Sequence, residues 1–280
     1  MTSPRGWLER GSTALRTRTR RVPVPEPSES WRTRRQFPTE STIPMPPEEL
    51  RGWVGSAPAF HDVALTTMGR MNMAGLRQDH DVLDIGCGVG RTARYLCGFL
   101  NDDARYEGFD TSAPLVDWCQ TNITPLFPNF RFTHVPLFHP AYDPDPSLPS
   151  AAEFIFPYAD DSFDFVLAHS VFTHLWPDVT TNYLHEIGRV LRPHGISYTT
   201  WVLFEDAPSG YSNPRAKNMD RDPSGTFAIR RPANIGFSQQ FVRNAHRAGG
   251  LEIVEPIHPG FRYFQDAVVA AKQPGMERTR

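Results

Sequence analysis

The chain has 280 residues, 39% of them hydrophobic, a formal net charge of −2 and three cysteines. That length holds one large α/β domain with a tail to spare, and the near-zero charge excludes the basic field of a nucleic-acid binder. No apolar run reaches bilayer-spanning length, and Cys87, Cys97 and Cys119 have neither metal-ligand spacing nor an even disulfide count, so the expected compartment is the reducing cytoplasm.

Residues 1–44 are rich in Arg, Pro, Ser and Thr and show no apolar period, so they are expected to be disordered. Val22-Pro23-Val24-Pro25 follows Arg20-Arg21 where a secretory signal would place an apolar core, and the prolines argue against the amphipathic helix of a transit peptide. The tail reads either as a weak electrostatic tether or as dispensable. One domain is expected over residues 45–273, with a flexible end at 274–280.

From Pro46 the pattern becomes periodic. Residues 60–77 predict a helix with Phe60, Val63, Ala64, Thr67 and Met71 on one face. Asp81 to Ile85 predicts a buried strand, Gly90 to Leu100 a helix, Arg105 to Phe109 a strand, and Ser112 to Ile123 a helix with Ser112 as N-cap and Pro114 in its first turn. A third strand is expected at Phe130 to His134, then a Pro-rich interruption from Val135 to Pro157. Ser162 to His169 predicts a fourth strand and Val179 to Leu191 a helix, stopped by Arg192-Pro193-His194-Gly195 before a fifth strand at Ile196 to Leu203. Phe204 to Gly236 reads as a long irregular segment. A helix at Ser238 to Ala248 and strands at Leu251 to Glu255 and Ala267 to Ala271 close the domain.

Alternating strands and helices predict a Rossmann-like, doubly wound α/β fold: a seven-stranded, mostly parallel sheet with helices on both faces. The last two strands lack a helix between them, so one is expected to run antiparallel at the edge. Ligands of such sheets bind outside the carboxyl ends of the strands, near the point where the strand order reverses.

The first strand runs directly into Gly86-Cys87-Gly88-Val89-Gly90. Glycines there permit positive φ and close approach of a ligand to the backbone. The spacing is G-x-G-x-G rather than the dinucleotide G-x-G-x-x-G. Asp84, two residues ahead, suits a cationic or donor-rich ligand better than a pyrophosphate. Asp110, about twenty residues beyond the glycines, ends the second strand where a carboxylate accepts hydrogen bonds from ribose hydroxyls; as an alternative it merely neighbours a helix cap.

With these blocks, with Tyr106–Asp110 and Trp118-Cys119, and with the runs Phe156–Val166, Ser170–Leu175 and Leu184–Pro193, residues 46–271 resemble the class I S-adenosylmethionine-dependent methyltransferases, closest to a bacterial subgroup of unassigned substrate. The resemblance implies S-adenosylmethionine as cofactor. It implies that the backbone of Gly86, Cys87 and Gly88 faces the methionine part, with Gly90 and Arg91 completing the loop. Asp84 would hold the ammonium through water, Asp110 the ribose, and Thr111 and Ser112 would border adenine. His169 and Ser170 would lie beside the sulfonium. The sequence departs from relatives that carry an acidic adenine partner after the third strand, since His134-Val135-Pro136-Leu137 stands there. Glu153, or a backbone carbonyl with the Phe156 ring, would serve instead.

Much of methyl transfer is alignment and exclusion of water, but an oxygen nucleophile usually needs a base, and histidine is the natural one. His174 and His169 are the candidates; the alternatives are capping for His174 and a pocket wall for His169. His185 reads as structural, and no metal-binding spacing is present. Two segments are candidates to shape the acceptor pocket: the Pro-rich insert with Phe138, His139 and Tyr142, and the long segment with Tyr211, Arg215, Arg221, Phe227, Arg230 and Arg231, which reads as a lid, a binding loop or a disordered stretch; its arginines read as a solvated surface ahead of the alternative, recognition of an anionic acceptor. The expected function is transfer of a methyl group to a small molecule, to oxygen rather than nitrogen, with neither nucleic acid nor membrane as partner. The alternatives are a cofactor-binding sensor or complex subunit without turnover, and a nicotinamide-dependent oxidoreductase.

Overall fold

The computed structural model describes residues 43–51, 57–139, 145–204, 213–230, 234–254, 257, 259 and 265–275. The expected N-terminal tail lies outside the described residues up to position 42. Ile43, the first one inside, is fully buried, and the Pro44 carbonyl accepts a 2.8 Å hydrogen bond from the Arg94 guanidinium.

The elements run α1 (Glu48–Arg51), α2 (Ala57–Met73), β1 (Val82–Ile85), α3 (Ala93–Phe99), β2 (Tyr106–Asp110), α4 (Ala113–Asn122), β3 (Phe130–His134) and β4 (Phe163–Ala168). A 3-10 turn (Phe172–His174), α5 (Pro177–Val190), β5 (Leu191–Trp201) and β6 (Leu203–Phe204) follow. A second 3-10 turn (Pro214–Asn218) leads to β7 (Asp220–Arg221), β8 (Phe227–Arg230), β9 (Asn234–Ser238), α6 (Gln239–Ala248), β10 (Leu251–Ile253) and β11 (Asp266–Lys272). Among the described residues no helix is long and apolar enough to cross a membrane.

Seven strands form one sheet in the order β10-β11-β5-β4-β1-β2-β3. β11 runs antiparallel to β5 and to β10, one place in from that edge, while β5, β4, β1, β2 and β3 pair in parallel. The chain winds outward in both directions from β1 and β4, so the crevice that receives ligands opens at their carboxyl ends. All four residues of β1 are buried, as a central strand covered on both faces requires. Successive side chains feed opposite layers: Leu83, Ile85, Val166 and Ala168 join one apolar core, and Val82, Phe165 and Leu167 the other, beneath Ala64, Met68 and Met71 of α2. By that alternation Asp84 belongs to the α2 side.

Two expectations need correction. β5 begins at Leu191, before the Arg192–Gly195 stop rather than after it. The helix does end there, but the strand continues through a register shift between Phe163 and Phe165, and His194 absorbs the bend at φ +66°. The segment 204–236 is also not wholly irregular. Its described parts form a second sheet in the order β6-β9-β8-β7. Ile235 and Phe237 of β9 enter the main core, and a Cβ on Gly236 between them would press on Met219 Sδ and the Val202 carbonyl, each at 3.1 Å. The fully buried Asp266 joins the two sheets: its carboxylate accepts hydrogen bonds from the Leu203 amide and the Asn213 side chain, both at 2.9 Å.

Candidate active site

The glycine loop leaves β1 in a left-handed conformation at each glycine: φ is +67° at Gly86, +54° at Gly88 and +70° at Gly90. Only glycine adopts these values without strain. The loop is pinned to β2, since the amides of Gly86 and Cys87 both donate to the Phe109 carbonyl, at 2.8 and 3.0 Å. A Cβ on Gly108 would lie 2.9 Å from the Cys87 Cβ, so glycine on β2 is what lets the loop approach. Gly86 and Gly90 are closed in by Val171 and by Ile123 with Cys119, whereas nothing lies within 4 Å of a Cβ built on Gly88. The open side of the loop is therefore at Gly88.

Asp110 ends β2 beneath this opening. One carboxylate oxygen accepts from the Gly88 amide at 2.8 Å and the other from the Ser112 amide at 2.9 Å. Burial raises its pKa, opposed by the backbone amides of Ser112, Gly88 and Thr111. Each oxygen retains a lone pair for a further donor. Asp84 is 3% exposed and accepts a 2.7 Å hydrogen bond from the Tyr106 hydroxyl. Burial pushes its carboxyl up to about 7, with Asp110 adding to the effect and Tyr106 and Arg91 opposing it. Half-buried Arg91 has no hydrogen-bond or ion-pair partner among the described residues, and burial lowers its pKa to about 10 against the pull of Asp84. Cys87 and Cys119 are buried thiols that flank the Gly88 carbonyl at 3.8 and 3.5 Å; burial raises both, so they line the loop without being reactive.

β4 delivers the opposite wall. Asp84 pairs with Leu167, so continuing the register sets His169 level with Gly86. His169 Nδ1 lies 2.9 Å from the Thr67 hydroxyl of α2. Burial, then Arg91 and Arg70, hold its pKa well below the usual histidine value, so the ring is neutral. Ser170 next to it takes φ +62°, a strained value for serine that costs about 1–3 kcal/mol. Its amide donates to Thr200 Oγ1 at 2.8 Å, and the hydroxyls of Ser170 and Thr200 both donate to Gln265 Oε1, at 3.2 and 2.5 Å. A polar wall from β4, β5 and the residue before β11 thus stands beside the loop.

Residues 83–199, the glycine loop and both walls up to Thr199, match the family described as a methyltransferase domain. That stretch carries a methyltransferase domain. Solved structures with the same fold include a methyltransferase from Aquifex aeolicus, at 14% identity and a TM-score of 0.51, covering 81% of this chain and 99% of that one. A Pyrococcus horikoshii protein aligns at 16% identity and a TM-score of 0.51, covering 88% and 99%. The [4+2]-cyclase SpnF aligns at 18% identity and a TM-score of 0.53, covering 76% and 81%. These likenesses establish the fold of the methyltransferase domain; the family match carries its chemistry and its cofactor, S-adenosylmethionine.

The methyltransferase fold thus gathers Asp84, Gly86, Cys87, Gly88, Gly90, Arg91, Asp110 and His169 around one crevice. Thr111 and Ser112 follow at the start of α4, half-buried, with Ser112 as N-cap and Pro114 in the first turn. Phe156 is not brought to the surface of the site. It is 1% exposed, enclosed edge-on by Phe109 and Tyr183, so its ring faces the core. Glu153 is exposed in a turn. His174 closes the 3-10 turn five residues past His169, and its carbonyl accepts from His139 Nε2 at 2.9 Å. Of the residues expected around the acceptor, Phe227 packs edge-on to Trp176 and Arg221 lies 4.4 Å from the centre of the Phe204 ring. Tyr142, Tyr211 and Arg231 lie outside the described residues, as does the side chain of Arg230.

Sequence reasoning missed Tyr106, Thr67 and Gln265 as parts of the site. It also missed the Glu186–Arg189 pair, which holds the chain ahead of β4. Glu186 accepts from the Phe156 amide at 2.8 Å, and Arg189 donates to Glu186 at 2.6 Å and to the Phe156 carbonyl at 2.9 Å. Three-residue spacing of opposite charges on a helix was the available signal.

Proposed function

We propose that the domain methylates an oxygen of a small-molecule acceptor, with His169 as the base. When bound, S-adenosylmethionine supplies an electrophilic methyl on a cationic sulfur. Three observations fit that cofactor: the space open at Gly88, the Asp110 carboxylate below it, and a guanidinium at Arg91 with no hydrogen-bond or ion-pair partner among the described residues. Asp110 would hold the ribose hydroxyls, Arg91 the amino-acid carboxylate, Asp84 the ammonium, and Thr111 and Ser112 the adenine edge.

The observation that carries the acceptor reading is the neutral imidazole of His169 beside the loop. A hydroxyl needs a base to attack a methyl, whereas an uncharged amine does not. A neutral ring also avoids a second cation beside the sulfonium. His174 is the second candidate, five residues further on in the turn that follows β4. A small acceptor accords with the near-neutral charge, and the free, buried cysteines accord with the cytoplasm.

The test is incubation with methyl-labelled S-adenosylmethionine and a metabolite extract of the source organism. Label on an oxygen of a small product, lost in His169→Gln and kept in His174→Ala, is the expected result. Label on nitrogen would refute the acceptor atom. Cofactor binding without any transfer would return the chain to a role without turnover.

A further inference from the structure

We infer that Thr67, on α2, is a positioning residue that fixes the proton of His169 on Nδ1 and leaves Nε2 as a bare lone pair aimed at the acceptor's proton. The inference rests on the reading of His169 as the base.

Thr67 is 2% exposed, and its hydroxyl has two neighbours. One is the Val63 carbonyl one helical turn back, at 2.8 Å. The other is His169 Nδ1, at 2.9 Å. A carbonyl only accepts, so the single hydroxyl proton of Thr67 goes to Val63, the back-bond that threonine makes within helices. Only lone pairs of Oγ1 then face Nδ1, and the Nδ1 nitrogen must supply the proton of that contact. A neutral imidazole has one N–H, so Nε2 is unprotonated. Nε2 has no protein partner among the described residues and is not sealed from solvent. The charged groups around the ring are Arg70 on the same helix and Arg91 behind the glycine loop, both cationic. Together with burial they keep the second proton off.

In the reaction the acceptor's O–H proton passes to Nε2, its oxygen forms a bond to the methyl carbon, and the carbon–sulfur bond breaks with its electron pair going to sulfur. The imidazolium that results keeps its Nδ1–H on Thr67, now as a charge-assisted hydrogen bond. Thr67 thus selects the tautomer before the transfer and stabilises the cation during it, the part played by the third member of a nucleophile–base–orienter set.

The test is nitrogen NMR of the full chain labelled with 15N-histidine, with the His169 signals assigned by their loss in His169→Gln. The expected wild-type pattern between pH 6 and 8 is a protonated Nδ1 and a bare Nε2. Thr67→Ser should keep this pattern. Thr67→Val, which matches threonine in shape, should move half or more of the population to the Nε2–H form while leaving the calorimetric affinity for S-adenosylmethionine within about twofold, because the valine removes only the acceptor facing Nδ1 and the back-bond to the Val63 carbonyl within α2. A protonated Nε2 in the wild type, or an unchanged tautomer in Thr67→Val, overturns the inference. Label transfer that survives His169→Gln overturns the positioning role through the base reading, whatever the tautomer, and lost cofactor affinity in the wild type would instead overturn the methyltransferase reading beneath both.

Discussion

Asp84→Asn should make the protein more stable, and only above a definite pH. The native carboxyl titrates near 7 because it is buried, while the same group in an unfolded chain titrates at its ordinary 3.8. Between those values the folded protein holds a proton that the unfolded chain has released, so stability falls as pH rises through that window. At 1.36 kcal/mol per pH unit the gap corresponds to about 4 kcal/mol, fully felt above pH 7 and absent below about pH 4. Asparagine keeps an oxygen for the Tyr106 hydroxyl and carries no charge to bury. Thermal melting from pH 3.5 to 8.5 should therefore show two curves that coincide at the acid end. They should diverge by about 10 °C at the basic end, on the basis of roughly 2–4 °C per kcal/mol for a domain of this size. The same variant should bind S-adenosylmethionine more weakly, since the ammonium of the ligand loses its carboxylate. Parallel melting curves across the whole range would refute the reasoning, because they would mean that Asp84 is ionised in the fold without cost.

Asp110→Asn keeps one acceptor oxygen but turns an amide group toward the amide of Gly88 or Ser112, so cofactor affinity measured by calorimetry should fall about 10- to 150-fold, the loss of one charge-assisted hydrogen bond of about 1.5–3 kcal/mol. Gly88→Val should abolish cofactor binding while circular dichroism stays native, apart from a strain of about 1–3 kcal/mol at φ +54°, because the space beside Gly88 is open to a ligand and not to the core. Arg189→Met leaves the buried Glu186 carboxylate without its cation, and denaturant unfolding should report a loss of about 3–5 kcal/mol.

The part of this fold that follows from local pattern was legible. Val82 to Gly90 announces a strand, a turn and a helix within a few residues, and the strands after it recur with helices between them. Asp110 could be placed because it lies at a fixed chemical distance from the glycines. The second sheet was not legible, because β6 and β7 are two residues long and no period can be counted over two residues. Its anchor is a contact at long range, Asp266 to Leu203 across 63 positions. The contact of Thr67 with His169, across 102 positions, hid Thr67 from the candidate site in the same way. Phe156 was misjudged for a related reason. A phenylalanine before a proline reads as loop, and only the rings of Phe109 and Tyr183, from separate elements, show it enclosed.

The antiparallel strand has a consequence for how the protein is made. β11 follows every other described element in the sequence, yet it occupies an inner position, bridging β5 and β10. A nascent chain that has emerged as far as β10 has β5 as a naked margin, a row of unpaired amides and carbonyls open to pairing with another molecule. Gln265, the residue just ahead of β11, reaches Ser170 and Thr200 only when that strand docks. Synthesis through β11 thus precedes both the burial of this adhesive margin and the completion of the polar wall beside the glycine loop, which makes the interval before docking the stage at which a ribosome-associated chaperone would matter most.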